Sequence, residues 1–264
     1  MRKYLTYFNI SFRAFSAYKP DFILGIVFNM VFFFIYLAIW KTIYLSTNST
    51  EINGYSLSNT ITYYFATSII FRLDVSSSIW LASDIWDGAI ANDLVKPWNV
   101  KVIHFLVSLS QIGVDFLLFL PFCIFIFFIA HEYLIFPDLL NLLFFVITLI
   151  LGFFLNMFFN LIFHSLTFHF GDQEANIELV NYIVGFLAGS VFPLVFLPEL
   201  MKRLFYFLPF RFLFDTPANI FLGKLTFSEI LSCWLQMGLW IAIFYLIFFF
   251  IFKSGLKKFT GTGK

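Results

Sequence analysis

Six long apolar runs, separated by short polar stretches, outline the chain. They occupy about 21–45, 60–78, 102–130, 139–163, 177–195 and 229–252. Each approaches or exceeds the roughly 20 residues an α-helix needs to cross the hydrocarbon core of a bilayer. The pattern predicts an all-α polytopic membrane protein with six transmembrane helices, forming one domain over residues 1–264. The second run is the least apolar.

Three other stretches have helical order without the length of a span. In 1–19, Tyr4, Leu5, Phe8, Phe12 and Phe15 make one face, and Arg2, Thr6, Asn9, Arg13 and Ser16 the other. This reads as an amphipathic helix in the headgroup plane. It is not a signal peptide, because the apolar run behind it is too long for one. In 79–97, Ile79, Ala82, Trp86, Ile90 and Leu94 recur at three- and four-residue steps, while Asp84, Asp87 and Ala91 fall on another face. A short amphipathic helix at the membrane surface is expected there, closed by Lys96 and Pro97, since proline disfavours helix in the residue before it. Between 192 and 223, Pro193, Pro198, Pro209 and Pro217 interrupt an apolar stretch. Residues 196–223 therefore read as short re-entrant helices, dipping into the bilayer edge and buried against protein.

Composition makes lipid the solvent. The chain is 61% apolar and 12% charged, with a mean hydropathy of +0.91; soluble domains carry about 45–50% and about 25%. A net charge of +1 gives no argument for a nucleic-acid partner. Cys123 and Cys233 lie inside apolar runs and read as small hydrophobes. The 43 phenylalanines read as apolar bulk rather than an aromatic path.

A few polar groups stand out inside the spans. Arg72 and Asp74 lie in the second and Asp115 in the third; charges at bilayer depth are functional candidates. Arg72 and Asp74, two apart, point in different directions on a helix. Pro121 is expected to break the third span. Gly185 and Gly189, four apart in the fifth span, have the spacing of a close helix–helix contact. His164 and His169 are five apart, where a helical metal pair needs four.

With six spans, both termini share a side. That side carries Arg2, Lys3, Arg13, Lys19, Lys96, Lys101, Lys253, Lys257, Lys258 and Lys264; the other has Lys41, Lys202, Arg203, Arg211 and Lys224. Ten against five places both termini and the 79–97 segment in the cytoplasm, and 196–223 outside.

Catalytic motifs are missing. Gly261-Thr262-Gly263-Lys264 looks like the end of a phosphate loop, but Lys258 stands where that loop needs glycine. There is no zinc motif and no nucleophile elbow. The four histidines are scattered.

Two stretches carry a resemblance. Asp84-Ile85-Trp86-Asp87-Gly88-Ala89-Ile90 with Leu94-Val95-Lys96-Pro97 resembles the cytoplasmic signature of one branch of the ABC type-2 permeases: an Ile, a Gly three on, and a Leu-x-basic-Pro ending. Gly189 to Leu194, Leu197-Pro198-Glu199, Leu208-Pro209-Phe210, Pro217 and Phe221-Leu222-Gly223 resemble the same branch after its fifth span. One departure is that the family often has basic residues beside the signature glycine, where Trp86 and Ala89 stand here.

The resemblance implies half of an export channel in the cell (inner or plasma) membrane. Two permeases, alike or different, would sit on two separate ATPase subunits. This chain would bind no cofactor, with ATP and Mg on the partner ATPase. The 79–97 helix would be the coupling helix, made of Asp84, Ile85, Trp86, Asp87, Gly88, Ile90, Leu94, Lys96 and Pro97. Trp86 and Ile90 would fill a groove on the ATPase, and Asp84 and Asp87 would meet basic groups at its rim. Two other classes stay open. A secondary carrier would need inverted repeats and a carboxylate cluster, against which Asp74 and Asp115 are few. A membrane scaffold without transport would need neither.

Overall fold

The computed structural model describes residues 2–16, 19–73, 77–91, 100–170, 173–190 and 192–258. The described residues are almost wholly helical. Helix α1 (Arg2–Ser16) is followed by α2 (Lys19–Thr47), a hairpin of β1 (Glu51–Ile52) and β2 (Tyr55–Ser56), and α3 (Leu57–Ile70). Then come α4 (Ser77–Trp86), α5 (Val100–Ala130), α6 (Leu139–Ser165), the one-turn α7 (Thr167–Phe170) and α8 (Gln173–Leu187). Short helices α9 (Glu199–Phe207) and α10 (Asp215–Phe221) lead to the last helix, α11 (Phe227–Lys258).

Among the described residues four helical stretches are long and apolar enough to cross a membrane: Leu24–Thr47, Phe105–Tyr133, Leu139–Phe170 and Phe227–Lys258. They correspond to the first, third, fourth and sixth apolar runs, and they make this a multi-pass membrane protein. The second and fifth runs form shorter helices. Helix α3 has 14 residues and α8 has 15, about 21–23 Å at 1.5 Å per residue against a core of about 30 Å.

The reason for the weak apolar signal of α3 is its position. Thr60, Thr62, Tyr63 and Thr67 are buried, as are the apolar residues between them. This helix is enclosed by protein, so its polar groups find protein partners and its surface need not match lipid. In contrast, α2 is almost bare, with Val27, Phe28, Val31 and Phe32 exposed.

Helix ends are written locally. The Ser56 side chain accepts from the Asn59 N–H at the start of α3, and Asp138 accepts from the Asn141 N–H at the start of α6. At the start of α11, Glu229 accepts from the Thr226 N–H at 2.8 Å, a capping pattern. The hairpin turns on Asn53 and Gly54, both at positive φ (48° and 77°), the geometry that Asn-Gly favours. Pro121 does not break α5, which runs on through it. In lipid no water competes for the freed carbonyl, and neighbouring groups can re-satisfy it.

Helix α1 rests on α5: a ring carbon of Phe12 lies 3.4 Å from where a Cβ on Gly113 would sit. Thr6, Asn9 and Arg13 face away, exposed. Phe12 of the expected apolar face thus reaches protein.

The connections gather at two ends. At one, the Thr62 hydroxyl accepts from the Ile135 N–H at 2.8 Å, Asn53 donates to the Val195 carbonyl at 3.2 Å, and Lys224 donates to the Gly54 carbonyl at 2.7 Å. The hairpin, the 131–138 loop and the 193–226 stretch therefore form one cap. Helix α6 runs about 40 Å from this cap to the opposite end, where α4 packs against α5, α6, α7 and α8. Short helices and 3-10 turns fill 194–221, as the proline spacing suggests.

Candidate functional site

The segment between the second and third expected spans is the first candidate. Helix α4 buries Leu81, Ala82 and Ile85. It stops at Trp86, and Gly88 takes φ +74°, a left-handed conformation that suits glycine. The Asp87 N–H donates to the Ser83 carbonyl at 2.8 Å, and the Ala91 N–H to Gly88 at 3.1 Å. The chain re-enters helix at Ile90 and Ala91.

This turn splits the stripe expected along 79–97. Trp86 is 36% exposed and Ile90 only 1%. A helical repeat carries a side chain to the same face only while the helix continues, and the reversal at Gly88 resets the phase. Trp86 and Asp87 therefore project from the tip, whereas Ile85 and Ile90 brace the segment from within. Ile90 is not available to fill a groove on another protein in this conformation. Asp84 is half-buried. Leu94, Lys96 and Pro97 lie outside the described residues.

The intramembrane charges are the second candidate. The Arg72 guanidinium sits 4.7 Å from the centre of the Phe119 ring, a cation–π arrangement. Asp115, on α5 and half-buried, is close enough for their charges to act on each other. Among the described residues the two form no ion pair within 4 Å. Asp74 lies outside the described residues.

Gly185 and Gly189 do different jobs. A Cβ on Gly185 would meet nothing within 4 Å, and this residue borders a hollow rather than a neighbouring helix of the same chain. Gly189 lies past the end of α8 at φ +80°. A Cβ there would come within 3.1–3.2 Å of Leu194, Tyr63 and Asp215. It serves a turn and a close approach.

That approach exposes a site that sequence reasoning missed. Asp215 is buried in the cap, and its carboxylate takes three donors: the Leu194 N–H at 3.1 Å, the Tyr63 hydroxyl at 3.2 Å and the Asn219 amide at 3.2 Å. The one Tyr63 hydroxyl proton is shared between Asp215 and the Gly189 carbonyl, which lies nearer, at 2.8 Å. Asn219 in turn accepts from the Tyr55 hydroxyl of the hairpin. Burial, followed by the nearby Asp215 charge, pushes the Tyr55 hydroxyl up, so it keeps its proton and donates. The Tyr55 carbonyl accepts from Tyr44 of α2 at 2.6 Å. The network thus joins α2, the hairpin, α3, the end of α8 and α10. Its one sequence signal was a run of polar residues in the second span.

Among the described residues no group of His, Cys, Asp and Glu is arranged to hold a metal ion. The polar network holds elements together; it presents no nucleophile with an activating base.

A family model described as ABC-2 family transporter protein matches residues 26–263. A comparison with curated protein sequences finds no match. Members of the matched family are membrane translocation components that work with an ATPase subunit. A match over nearly the whole length, on an all-helical multi-pass membrane fold, means that this chain belongs to the ABC-2 transporter family.

Proposed function

We propose that this chain is the permease subunit of an ATP-driven exporter and supplies half of the translocation pathway. Two ATPase subunits on separate chains bind ATP and Mg, and a second permease, a copy of this one or a different chain, completes the channel. Both termini and the α4 tip face the cytoplasm of the cell (inner or plasma) membrane. Residues 196–223 face outward.

The observation that carries this reading is the exposed Trp86–Asp87 tip on a braced helix. An apolar indole held out beside a carboxylate is a suitable anchor for a groove with a basic rim, the kind of contact that dominates interfaces. Leu81, Ala82 and Ile85 link the tip rigidly to the membrane helices. Force on the tip is passed to α5 and α6, against which α4 packs. Moving a two-state equilibrium from 1:99 to 99:1 takes about 5.5 kcal/mol of differential binding, which closure of an ATPase pair supplies. Asp84, Gly88, Leu94, Lys96 and Pro97 complete the coupling segment in this reading.

The test is purification of the tagged chain from its own cells, followed by identification of what accompanies it. A nucleotide-binding subunit is expected in stoichiometric amount. Trp86→Asp in that complex should leave ATP hydrolysis running while transport stops. Normal transport by the variant, or a chain that purifies without an ATPase, overturns the assignment.

A further inference from the structure

Two opposite charges and an amide lie where the end of α3 faces α5, and they do not pair. Arg72 belongs to the 3-10 turn Phe71–Leu73 that follows α3 and packs on α5. Gln111 and Asp115 are four apart on α5, with Phe119 four further on. They share one face as successive rungs, each about 6 Å from the next along the helix. The Arg72 guanidinium stands at the rung nearest the cap, 4.7 Å from the centre of the Phe119 ring. Among the described residues its buried Nε has no hydrogen-bond partner, and neither has the buried Gln111 Oε1. Asp115 lies between these rungs, close enough for its charge and that of Arg72 to act on each other.

This arrangement leaves a donor and an acceptor idle and two charges unpaired, at a depth where a lone charge is expensive. The ring of Phe119 offsets part of that through its negative face. The next rung offers a carboxylate and, one turn beyond it, an amide oxygen that lacks a donor. A guanidinium carries five N–H donors in a fixed fork, enough to serve both. Moving there satisfies each of these groups and gives up the ring. One side chain thus has two alternative seats on the same helix face. Arg72 is also placed to follow α4. Residues 74–76 alone separate its turn from that helix, which packs against α5 as well.

We propose that Arg72 is a two-position latch: it rests on Phe119 in the arrangement described and moves one turn along α5 to pair with Asp115, within reach of Gln111, when the permease changes state. One-turn steps of one packed element past another are an established form of switching. This rests on the permease reading, for which it names a contact that differs between the two states.

The test is fluorine NMR of the purified full chain in nanodiscs, carrying Phe119→para-fluorophenylalanine. Adding Arg72→Gln fixes the resonance of the ring with no cation over it. With Arg72 in place, a major resonance displaced from that reference and a minor one near it are expected. Asp115→Asn removes the second seat and should deplete the minor population about ten-fold; the isosteric Gln111→Glu strengthens that seat and should enrich it about ten-fold, the scale of one hydrogen bond to a charged group. Where exchange merges the resonances, their averaged position should move in the same directions. The latch is overturned if Arg72→Gln leaves the resonance where it was, or if neither Asp115→Asn nor Gln111→Glu shifts the balance. No ATPase is used, so failure here is distinct from failure of the chain to purify with one.

Discussion

Tyr63 and Asp215, 152 residues apart in the chain, meet at 3.2 Å with both side chains buried. One comes from the enclosed helix α3 and the other from the proline-rich cap. The Tyr63 hydroxyl is shared with the Gly189 carbonyl, so a single oxygen holds α3, the end of α8 and α10 in register.

Tyr63→Phe keeps the ring and removes that oxygen, leaving the Gly189 carbonyl and an Asp215 oxygen short of a donor. A buried polar group stripped of its partner costs about 1–3 kcal/mol. The melting temperature of the variant in nanodiscs should fall. A curve superimposable on the parent would mean that the network does not hold the cap.

The two glycines of the fifth run should respond unequally. Gly189→Ala puts a methyl into a left-handed position against Leu194, Tyr63 and Asp215, with a strain of about 1–3 kcal/mol. Gly185→Ala meets open space and should be neutral in the isolated chain. Equal loss of thermal stability in both would favour the helix-contact reading over the turn.

Gly255 of α11 gives a second steric test. A Cβ there would lie 2.6–2.7 Å from Phe168 of α7, closer than real atoms approach. Gly255→Ala should lower the melting temperature by displacing that ring. Adding Phe168→Ala should make the glycine substitution milder, a coupling read from a double-mutant cycle. Strict additivity would show that the two do not touch.

Trp86 and Ile90 separate coupling from folding. Ile90→Asp buries a charge in the chain and should cut expression and melting temperature. Trp86→Asp changes an exposed residue and should leave both unchanged. Surface substitutions stay within about 0.5 kcal/mol. If both variants unfold, Trp86 is a structural residue and the tip is not a free contact.

The sequence made plain whatever depends on local physics. Long apolar stretches marked six runs, and four of them form helices long and apolar enough to cross a membrane among the described residues. Proline spacing announced short helices in the cap. What stayed hidden depends on neighbours. Tyr63 looks like any polar residue in a weak span until α10 brings Asp215 to it. The 79–97 stripe assumed an unbroken helix, and one left-handed glycine at 88 moved Ile90 inside and left Trp86 out. Gly189 matched a packing spacing but sits beyond the helix that spacing presumes. Pro121 suggested a break that the surroundings of α5 do not impose.

Lys224 reaches across to the hairpin, donating to the Gly54 carbonyl and lying 4.5 Å over the Tyr55 ring. That clasp ties the hairpin to the proline-rich stretch. A tilt of α2 or α3, which the hairpin joins, would therefore pull on the cap.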